Sequence, residues 1–455
     1  MSLMNLLTGP ILTTLLRLSL PNIVAMSIAV LVGIAETWYV GQLGTTQLAA
    51  MALVFPFAML TQMMSSGAMG GGVSSAVSRA LGAKDTNRAC ALAMHALIIG
   101  LVAGITYATI FILFGPVFYA ILGGHGEVLA EASAFSNILF LGAVGVWVMN
   151  ALASVVRGTG NMRVSALVIL GSSAIQIVIG GIFGLGFGPI PRLGLVGVAI
   201  GTIVATAGAS VFLIWYLMTG QGRLTLKLSD FRLANFERAL FKDILKVGAL
   251  ACFSPLQSVL ATLLITGFIA RFGTTALAGY SIGQRLEFLL IPIAFGIGVA
   301  SVPMVGMAIG AGDIARARKV AWTAGLVSAL NLSLIGLLVT LFPYLWADLF
   351  TDNQAVLAAA YQYFHWAGPC FGFFGLGLTL YFASQGSGKV LGPTLASSVR
   401  LIFIGAIGFW LTTWASEPWS FFALVGAGMV VYGAATALSI RITRWGSAPK
   451  KNLGL

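Results

Sequence analysis

The sequence predicts an all-α membrane protein with twelve transmembrane helices in two homologous six-helix lobes. Three observations predict this fold: the chain is strongly apolar, its apolar stretches are long enough to cross a bilayer, and its second half repeats its first. Hydrophobic residues make up 59% of the chain and charged residues 8%, against about 25% charged residues in an ordinary soluble domain. Such a composition requires many helices that turn apolar side chains toward lipid.

The apolar stretches are long enough to span a membrane, since about 20 helical residues cross ~30 Å of hydrocarbon. Six precede the polar segment 219–246 and six follow it. We expect the spans at 15–39, 48–77, 90–114, 128–155, 164–187, 194–218, 247–269, 276–308, 320–343, 355–384, 390–413 and 419–441. Because each half has an even number of spans, the two halves face the same way, related by a pseudo-two-fold axis along the membrane normal.

The second half of the chain repeats three short patterns of the first half, in the same order and at a nearly constant separation. The pairs are LGTTQLAA at 43–50 with FGTTALAG at 272–279, LGAKDTNRA at 81–89 with IGAGDIARA at 309–317, and RGTGN at 157–161 with QGSGK at 385–389. Two similar helix bundles that move around a site held between them are typical of transporters.

This repeat sets the domain boundaries. We assign the chain to an N-lobe at 1–218, a cytoplasmic connector at 219–246, a C-lobe at 247–445 and a cytoplasmic tail at 446–455. The connector mixes charged and apolar residues after Asp230. That mixture suits either a plain link between the halves or a short helix on the inner membrane surface.

The placement of lysine and arginine predicts the orientation. Of 24 such residues, nineteen lie in the C-terminal tail or in loops after even-numbered spans, Arg157 among them, and two lie in loops after odd-numbered spans. By the positive-inside rule, both termini are therefore cytoplasmic. The net charge of +12 follows from the same bias, so it indicates no nucleic-acid partner.

Glu36 lies inside the first span, about a turn before the loop at 41–47. A charge near the bilayer centre costs on the order of 3 kcal/mol or more, so the carboxyl group needs a partner, a water-filled cavity or a proton. No basic residue lies within two turns; the alternative is a side chain that reaches the outer interface. Pro21 in the same span removes a backbone hydrogen bond and permits a bend. We predict proton exchange at Glu36 and bending at Pro21.

Glu287 in span eight is the other acidic residue within a span. Gln284 lies one turn before it and Arg285 two residues before it, which leaves two interpretations open: a structural polar network or a substrate site. His365 in span ten is a further candidate cavity residue, although a lone histidine among apolar neighbours is more often packed and hydrogen-bonded.

Cysteine placement predicts neither a disulfide framework nor a metal site, because Cys90, Cys252 and Cys370 are scattered and odd in number. Clustered nucleophiles and paired acids at one depth, which a membrane enzyme needs, are also absent from the sequence. We therefore expect a protein that is not an enzyme and that needs no metal or cofactor.

These features together resemble the multidrug and toxic compound extrusion (MATE) family of secondary transporters, bacterial type, over residues 10–445. The most specific stretches are ETWYVGQLGTTQLAA at 36–50, VSRALGAKD at 77–85 and VRGTGN at 156–161, with their second-half counterparts. The resemblance implies two six-helix lobes around a central cleft in the bacterial plasma (inner) membrane. It also implies export of organic, often cationic compounds in exchange for protons or sodium.

The resemblance extends to the site residues. It implies that Asn150 and Thr202 line an N-lobe cavity with Glu36, which stands where many bacterial members have aspartate. In span five, Gln176 and Gly180 stand where members often have Asn and Asp, so the second acid of that lobe is missing.

The second half also departs from the family pattern. Span seven offers Gln257 and Ser258 where the NorM-like branch has an acid, and span ten offers no acid. Gln257 is therefore a candidate cavity residue rather than an ion ligand.

We expect proton-coupled antiport centred on Glu36, because a lone glutamate fits proton exchange better than a sodium site with several hard oxygen ligands. Sodium-coupled antiport of the same compounds and a lipid or lipid-linked substrate flippase are the alternatives. The expected partners are small organic substrates and membrane lipid, and nothing in the sequence requires more than a monomer.

Overall fold

The computed structural model describes residues 3–187, 189, 191–227 and 236–446, and over these residues the chain is helical and contains no strand. This confirms the predicted all-α fold class. The α-helices are α1 (Leu3–Thr8), α2 (Ile11–Gly41), α3 (Thr45–Gln62), α4 (Gly70–Gly82), α5 (Thr86–Ile121), α6 (Gly126–Leu141), α7 (Ala143–Gly158), α8 (Met162–Leu185), α9 (Leu195–Met218), α10 (Arg238–Ala251), α11 (Phe253–Ala270), α12 (Thr274–Gly310), α13 (Ile314–Leu341), α14 (Tyr344–Ala347), α15 (Gln354–Ala367), α16 (Phe371–Ser387), α17 (Leu391–Leu411) and α18 (Trp419–Ile442).

Twelve helical segments of the described chain are long and apolar enough to cross a membrane, which confirms the predicted number of spans. Four of these segments are interrupted. A π-helical stretch, Met63–Met69, joins α3 to α4, and a 3₁₀ turn, Gly368–Cys370, joins α15 to α16. The other two interruptions separate α6 from α7 and α10 from α11. Sequence periodicity did not predict these breaks, because an apolar stretch reads as one span whether or not its helix is regular.

Large apolar side chains cover the outside of the helices. Examples of such residues, each more than 60% exposed, are Leu113, Ile121, Leu141, Leu167 and Val211. Exposed apolar surface of this extent is unfavourable in water and favourable against lipid tails. The fold therefore carries its apolar surface as a multi-pass membrane protein does.

Contacts divide the described chain into two compact units. Pro21–Gly248 forms the first, and the described residues before Pro21 and after Gly248 form the second. In the second unit, the Arg316 guanidinium donates to the carbonyls of Leu6 at 3.1 Å and Gly9 at 2.7 Å, which holds the N-terminal segment. The sequence assigned residues 1–218 to one lobe, whereas the residues before Pro21 group with the later unit.

The two halves repeat the same loop geometry at matched positions. The Asp85 carboxylate accepts from the Arg88 backbone N–H at 2.9 Å, and the Asp313 carboxylate accepts from that of Arg316 at 2.8 Å. Each aspartate thereby caps the helix that follows it, α5 or α13. The backbone before each cap is left-handed, at Lys84 in one half and Gly312 in the other.

The predicted connector becomes part of a span. Helix α10 begins at Arg238, so the end of segment 219–246 forms the first turns of span seven rather than a separate link. Asp243, in this helix, pairs with Arg79 at 2.7 Å and with Arg88 at 3.1 Å. The start of the predicted surface helix, at 230–235, lies outside the described residues, and so does the tail after residue 446.

Candidate functional site: a glutamate held by an amide in the first unit

Glu36 lies in α2 and is hydrogen-bonded to a side chain from α8. The Gln176 amide nitrogen, Nε2, donates to Glu36 Oε1 at 2.7 Å. The same nitrogen donates to the hydroxyl oxygen of Thr202, in α9, at 3.2 Å. Three of the predicted site residues therefore come together, contributed by three different helices.

The approach of α8 to α9 depends on a glycine beside this cluster. A Cβ atom added to Gly201 would lie 2.6 Å from Gly180 Cα and 2.9 Å from the carbonyl oxygen of Gln176. Backbone atoms of a helix cannot shift unless the helix moves, so a side chain at position 201 would push the two helices apart. Membrane helices commonly pack through small residues, and this contact fixes the positions of Gln176 and Thr202 on the two facing helices.

Tyr39 adds a hydroxyl group that the sequence analysis missed. It lies three residues after Glu36, on the same face of α2. The Tyr39 ring packs on Gly180 and Gly181 of α8. A Cβ atom added at Gly180 would lie 3.9 Å from the Tyr39 hydroxyl, and one added at Gly181 would lie 3.8 Å from the Tyr39 ring. The hydroxyl is buried and has no hydrogen-bond partner within the described residues. The signal that could have found it was the one-turn spacing from Glu36.

Asn150 lies in a different polar cluster, at the π-helical stretch of span two. Its amide nitrogen donates to Ser65 Oγ at 2.8 Å and to Gln62 Oε1 at 3.3 Å. The structure therefore places Asn150 against span two, and its hydrogen bonds do not go to Glu36, Gln176 or Thr202.

Arg157 belongs to the same cluster, and its predicted place in a loop was wrong. It lies in the last turn of α7 and is 3% exposed. Its guanidinium donates to Ser154 Oγ at 2.6 Å and to the carbonyl oxygen of Ser66 at 3.2 Å. Because Asn150, Ser154 and Arg157 share one face of α7, this face binds the π-helical stretch by side-chain hydrogen bonds.

In the second unit, Glu287 accepts a hydrogen bond from the Tyr363 hydroxyl of α15. Neither of the neighbours suggested by the sequence is its partner. Gln284 donates to the Tyr280 hydroxyl at 3.3 Å, and the Arg285 guanidinium lies over the Phe350 ring, 5.2 Å from its centroid.

Gln257 and His365 lie elsewhere in the second unit. Gln257 donates to Ser398 Oγ at 2.6 Å, which links α11 to α17. His365 is exposed, and its ring lies edge-on to Trp366 at a centroid distance of 5.7 Å. Neither side chain forms a hydrogen bond to the Glu287 group.

Pro21 lies inside α2, which continues as one helix from Ile11 to Gly41. It removes the backbone donor that would otherwise bond to the carbonyl of Arg17. It is also the residue at which the first unit begins. The weakened position in α2 thus coincides with the change from one unit to the other.

The oxygen atoms around Glu36 are those of a carboxylate, an amide and two hydroxyls. In the part of the chain that the structure describes, no three His, Cys, Asp or Glu side chains lie together as a metal site would need. The residues of the second half at the positions that match Glu36, Gln176 and Thr202 are Ile265, Ile404 and Val430. This polar group is therefore particular to the first unit, and its chemistry is that of a single acid beside neutral donors.

Curated relatives align with most of the chain. It is 28% identical over 299 residues to the multidrug export protein MepA of Staphylococcus aureus, an alignment that covers 65% of this chain and 64%, just under two thirds, of that protein. It is 26% identical over 315 residues to the FAD transporter of Shewanella oneidensis, covering 69% of each chain.

Solved structures share the fold over almost the full length. A MOP superfamily transporter from Pyrococcus furiosus superposes with a TM-score of 0.87 at 23% identity, covering 96% of this chain and 97% of that one. A MATE protein in complex with MaD3S gives a TM-score of 0.86 at 24% identity, with the same coverage.

The family match covers both halves of the chain. The MatE family matches residues 21–182 and again residues 251–411, one copy in each half, as the internal repeat predicts. Glu36 and Gln176 lie in the first of these segments and Glu287 lies in the second. This chain therefore belongs to the MatE family, a family of multi-pass membrane transporters.

Proposed function

We propose that this chain is a secondary active antiporter that exports organic cations in exchange for protons. The Glu36 carboxylate carries the proposal. It lies within a membrane span, and its hydrogen-bond partner is a neutral amide. No cationic side chain pairs with it among the described residues. A proton or a cationic substrate can therefore neutralise it, and competition between the two is the basis of antiport.

The exchange follows from that competition. A proton that enters from outside neutralises Glu36 and removes the charge that holds the cationic substrate, which is then released outward. Loss of the proton to the cytoplasm restores the carboxylate and its affinity for substrate. The exchange is coupled if proton and substrate favour opposite states of one conformational equilibrium. Pro21, in the same helix, supplies a bending point for that change.

Gln176 can serve both protonation states of Glu36. The Gln176 Nε2 atom lies 2.7 Å from Glu36 Oε1, and an ionised carboxylate can accept its N–H. A protonated carboxyl group carries an O–H donor, and a half-turn of the Gln176 amide presents the carbonyl oxygen Oε1 to it. The Gln176 amide thus stabilises Glu36 in either protonation state. As the amide turns, its hydrogen bond to the Thr202 hydroxyl is kept or lost.

The relatives support an organic substrate. One is a multidrug export protein and another is an FAD transporter, so similar chains carry organic compounds of different size and charge. The positive-inside bias supports cytoplasmic termini in a bacterial plasma (inner) membrane. We propose a monomer that works with membrane lipid and small organic substrates, without a cofactor.

The proposal is tested with purified protein in liposomes and a fluorescent organic cation such as ethidium. An imposed pH gradient should drive the dye uphill in wild type, and Glu36→Gln should abolish this movement. Glu127→Gln, an exposed residue in the first turn of α6, is the matched control and should transport normally. Uphill transport by a folded Glu36→Gln protein under a pH gradient would refute proton coupling at Glu36.

Sodium coupling is the second candidate, because several oxygen atoms surround Glu36. The carboxylate, the Thr202 hydroxyl and Gln176 Oε1 are hard donors of the kind that alkali and alkaline-earth ions prefer. In the same liposomes, dye movement driven by a sodium gradient alone, and lost in Thr202→Val, would favour this candidate. Movement under neither gradient would favour a lipid-type substrate.

A further inference from the structure

Helix α10 carries three basic residues along one face. Arg238, Lys242 and Lys246 follow one another at intervals of four residues, so they lie on the same side of the helix, about 6 Å apart along its axis. All three are exposed, and none of them forms an ion pair with a carboxylate of the described chain. We call these three residues the basic face of α10. Its positive charge is not neutralised by the protein.

The other side of α10 is packed and fixes the helix in place. Its buried apolar residues are Leu240, Ile244 and Val247. The backbone of α10 touches that of α4, since a Cβ atom added to Gly72 would lie 2.7 Å from the backbone nitrogen of Gly248. At the edge of this packed side, Asp243 pairs with Arg79 and Arg88. Because α10 is held in this way, the basic face is presented in a fixed position.

An open cavity of about 850 Å³ lies along the basic face. Its lining residues are Arg238, Ala239, Phe241, Lys242, Leu245 and Lys246. Three of these carry a positive charge and the other three are apolar, so the lining contains no acid. An arginine and two lysines present charged donors that suit the oxygen atoms of a phosphate group. An amine in the same cavity would meet only like charges, so the lining favours a headgroup with a net negative charge.

The position of α10 in the chain indicates where in the membrane this cavity lies. Arg238 is the first residue of a helical segment long and apolar enough to cross a bilayer, so the basic face stands where the polar region of the membrane meets the hydrocarbon. Within the cavity, Leu245 is 38% exposed, and it lies beside Lys242 on the helix surface. The cavity therefore combines charged donors with apolar surface, as a ligand with an anionic end and an apolar end requires.

We propose that the basic face of α10 is a binding site for an anionic phospholipid. The headgroup phosphate lies against Lys242, within reach of Arg238 on one side and Lys246 on the other, and the apolar end of the lipid lies against Leu245. A lipid fits better than a free phosphate, because a free phosphate leaves the apolar part of the cavity in contact with water. The site is separate from Glu36, so lipid binding here does not depend on which ion is coupled.

The proposal is tested by titrating the purified full-length protein in detergent with phosphatidylglycerol or with phosphatidylcholine of the same acyl chains. Native mass spectrometry counts the bound lipids and gives their affinities. The first phosphatidylglycerol should bind about tenfold more tightly than phosphatidylcholine, or 1.4 kcal/mol. The triple variant Arg238→Gln, Lys242→Gln, Lys246→Gln should lose this preference. Lys242→Gln alone should weaken phosphatidylglycerol binding about fivefold.

A matched control removes the same amount of charge elsewhere. Lys84→Gln, Arg163→Gln and Arg444→Gln together change three other exposed basic residues, and this protein should keep the preference for phosphatidylglycerol.

Two results would overturn the proposal. Equal loss of preference in the two triple variants would mean that any exposed positive charge attracts the lipid. Displacement of phosphatidylglycerol by an equal concentration of glycerol 3-phosphate or inorganic phosphate would identify a site for free phosphates instead. Because binding is measured without an ion gradient, and in the Glu36→Gln background as well, failure here is separate from failure of proton coupling.

Discussion

The side-chain nitrogen of Gln176 donates to two acceptors, to Glu36 Oε1 at 2.7 Å and to the Thr202 hydroxyl oxygen at 3.2 Å. Since these residues lie in α8, α2 and α9, one amide connects three helices of the first unit. The bond to the carboxylate is charge-assisted when Glu36 is ionised, whereas the bond to the hydroxyl joins two neutral groups. The two bonds therefore differ in what they contribute to binding a cation.

Gln176→Leu should lower the affinity for an organic cation at neutral pH about tenfold. The change removes a hydrogen bond to a charged group, which contributes roughly 1.5 kcal/mol or more, and so disfavours the ionised Glu36 that attracts the cation. Thr202→Val removes a bond between neutral groups at nearly constant volume and should cost about threefold or less. Fluorescence anisotropy with ethidium measures both. Equal losses in the two variants would contradict the different roles assigned to these bonds.

Gly201→Ala should destabilise the protein, because the new methyl group would lie 2.6 Å from Gly180 Cα on the facing helix. Overpacking of this kind costs about 1–3 kcal/mol or more when backbone must move. Gly208 lies in the same helix and has no atom within 4 Å of an added Cβ. Gly208→Ala is therefore the matched control, and it should be neutral or slightly stabilising, since alanine is the better helix former.

Thermal unfolding in detergent, followed by circular dichroism, separates the two glycine variants. The midpoint of Gly201→Ala should fall by several degrees, and that of Gly208→Ala should not fall. If both variants unfold at the wild-type midpoint, the close packing of α8 on α9 does not limit stability. If Gly201→Ala also loses dye binding at a temperature where it is still folded, the packing of α8 on α9 positions Gln176 as well.

Arg157→Gln should lower stability by about 2 kcal/mol, because it removes donors from the Ser66 carbonyl and from Ser154 in a buried cluster. Arg163, a few residues later at the start of α8, is exposed and provides the control. Arg163→Gln should change the free energy of unfolding by less than about 0.5 kcal/mol. Unfolding midpoints in detergent are the measurement. Equal midpoints for the two variants would mean that the face of α7 does not stabilise the π-helical stretch.

The sequence predicted the fold class and the number of spans, and it placed Glu36 within the first span. Glu36 was identifiable because a carboxyl group in a long apolar stretch is costly, and that reasoning needs no structure. The grouping of Gln176 and Thr202 with Glu36 rested on family resemblance. The helical spacing from Glu36 could have identified Tyr39, but the importance of Tyr39 depends on the glycines of α8 against which its ring packs.

The features that the sequence did not predict depend on contacts between residues far apart in the chain. Tyr363 is 76 residues from Glu287, and no periodicity of the sequence relates the two. Arg157 was counted with a cytoplasmic loop because charge counting uses position along the chain, whereas the structure buries it in the last turn of α7. The π-helical stretch has no signature of its own in composition. Helix irregularity and partner choice are thus properties of packing, which a linear pattern does not specify.

Lys84 and Gly312 occupy matched positions in the two repeated loops, with φ values of 62° and 81°. A side chain costs about 1 kcal/mol in left-handed backbone, and glycine avoids this cost at the expense of a more flexible unfolded chain. Lys84→Gly should therefore raise stability slightly, by up to about 1 kcal/mol. Gly312→Lys should lower it by a similar amount through backbone strain alone, because no atom lies within 4 Å of a Cβ added there.

The double variant Lys84→Gly with Gly312→Lys exchanges the residues of the two loops and provides the sharpest check. Since the two loops belong to different units, the opposite effects should add and leave the unfolding midpoint within about 0.5 kcal/mol of wild type. Thermal unfolding of the two single variants and the double variant measures this. A Gly312→Lys protein as stable as wild type would show that this loop adapts its backbone to a side chain.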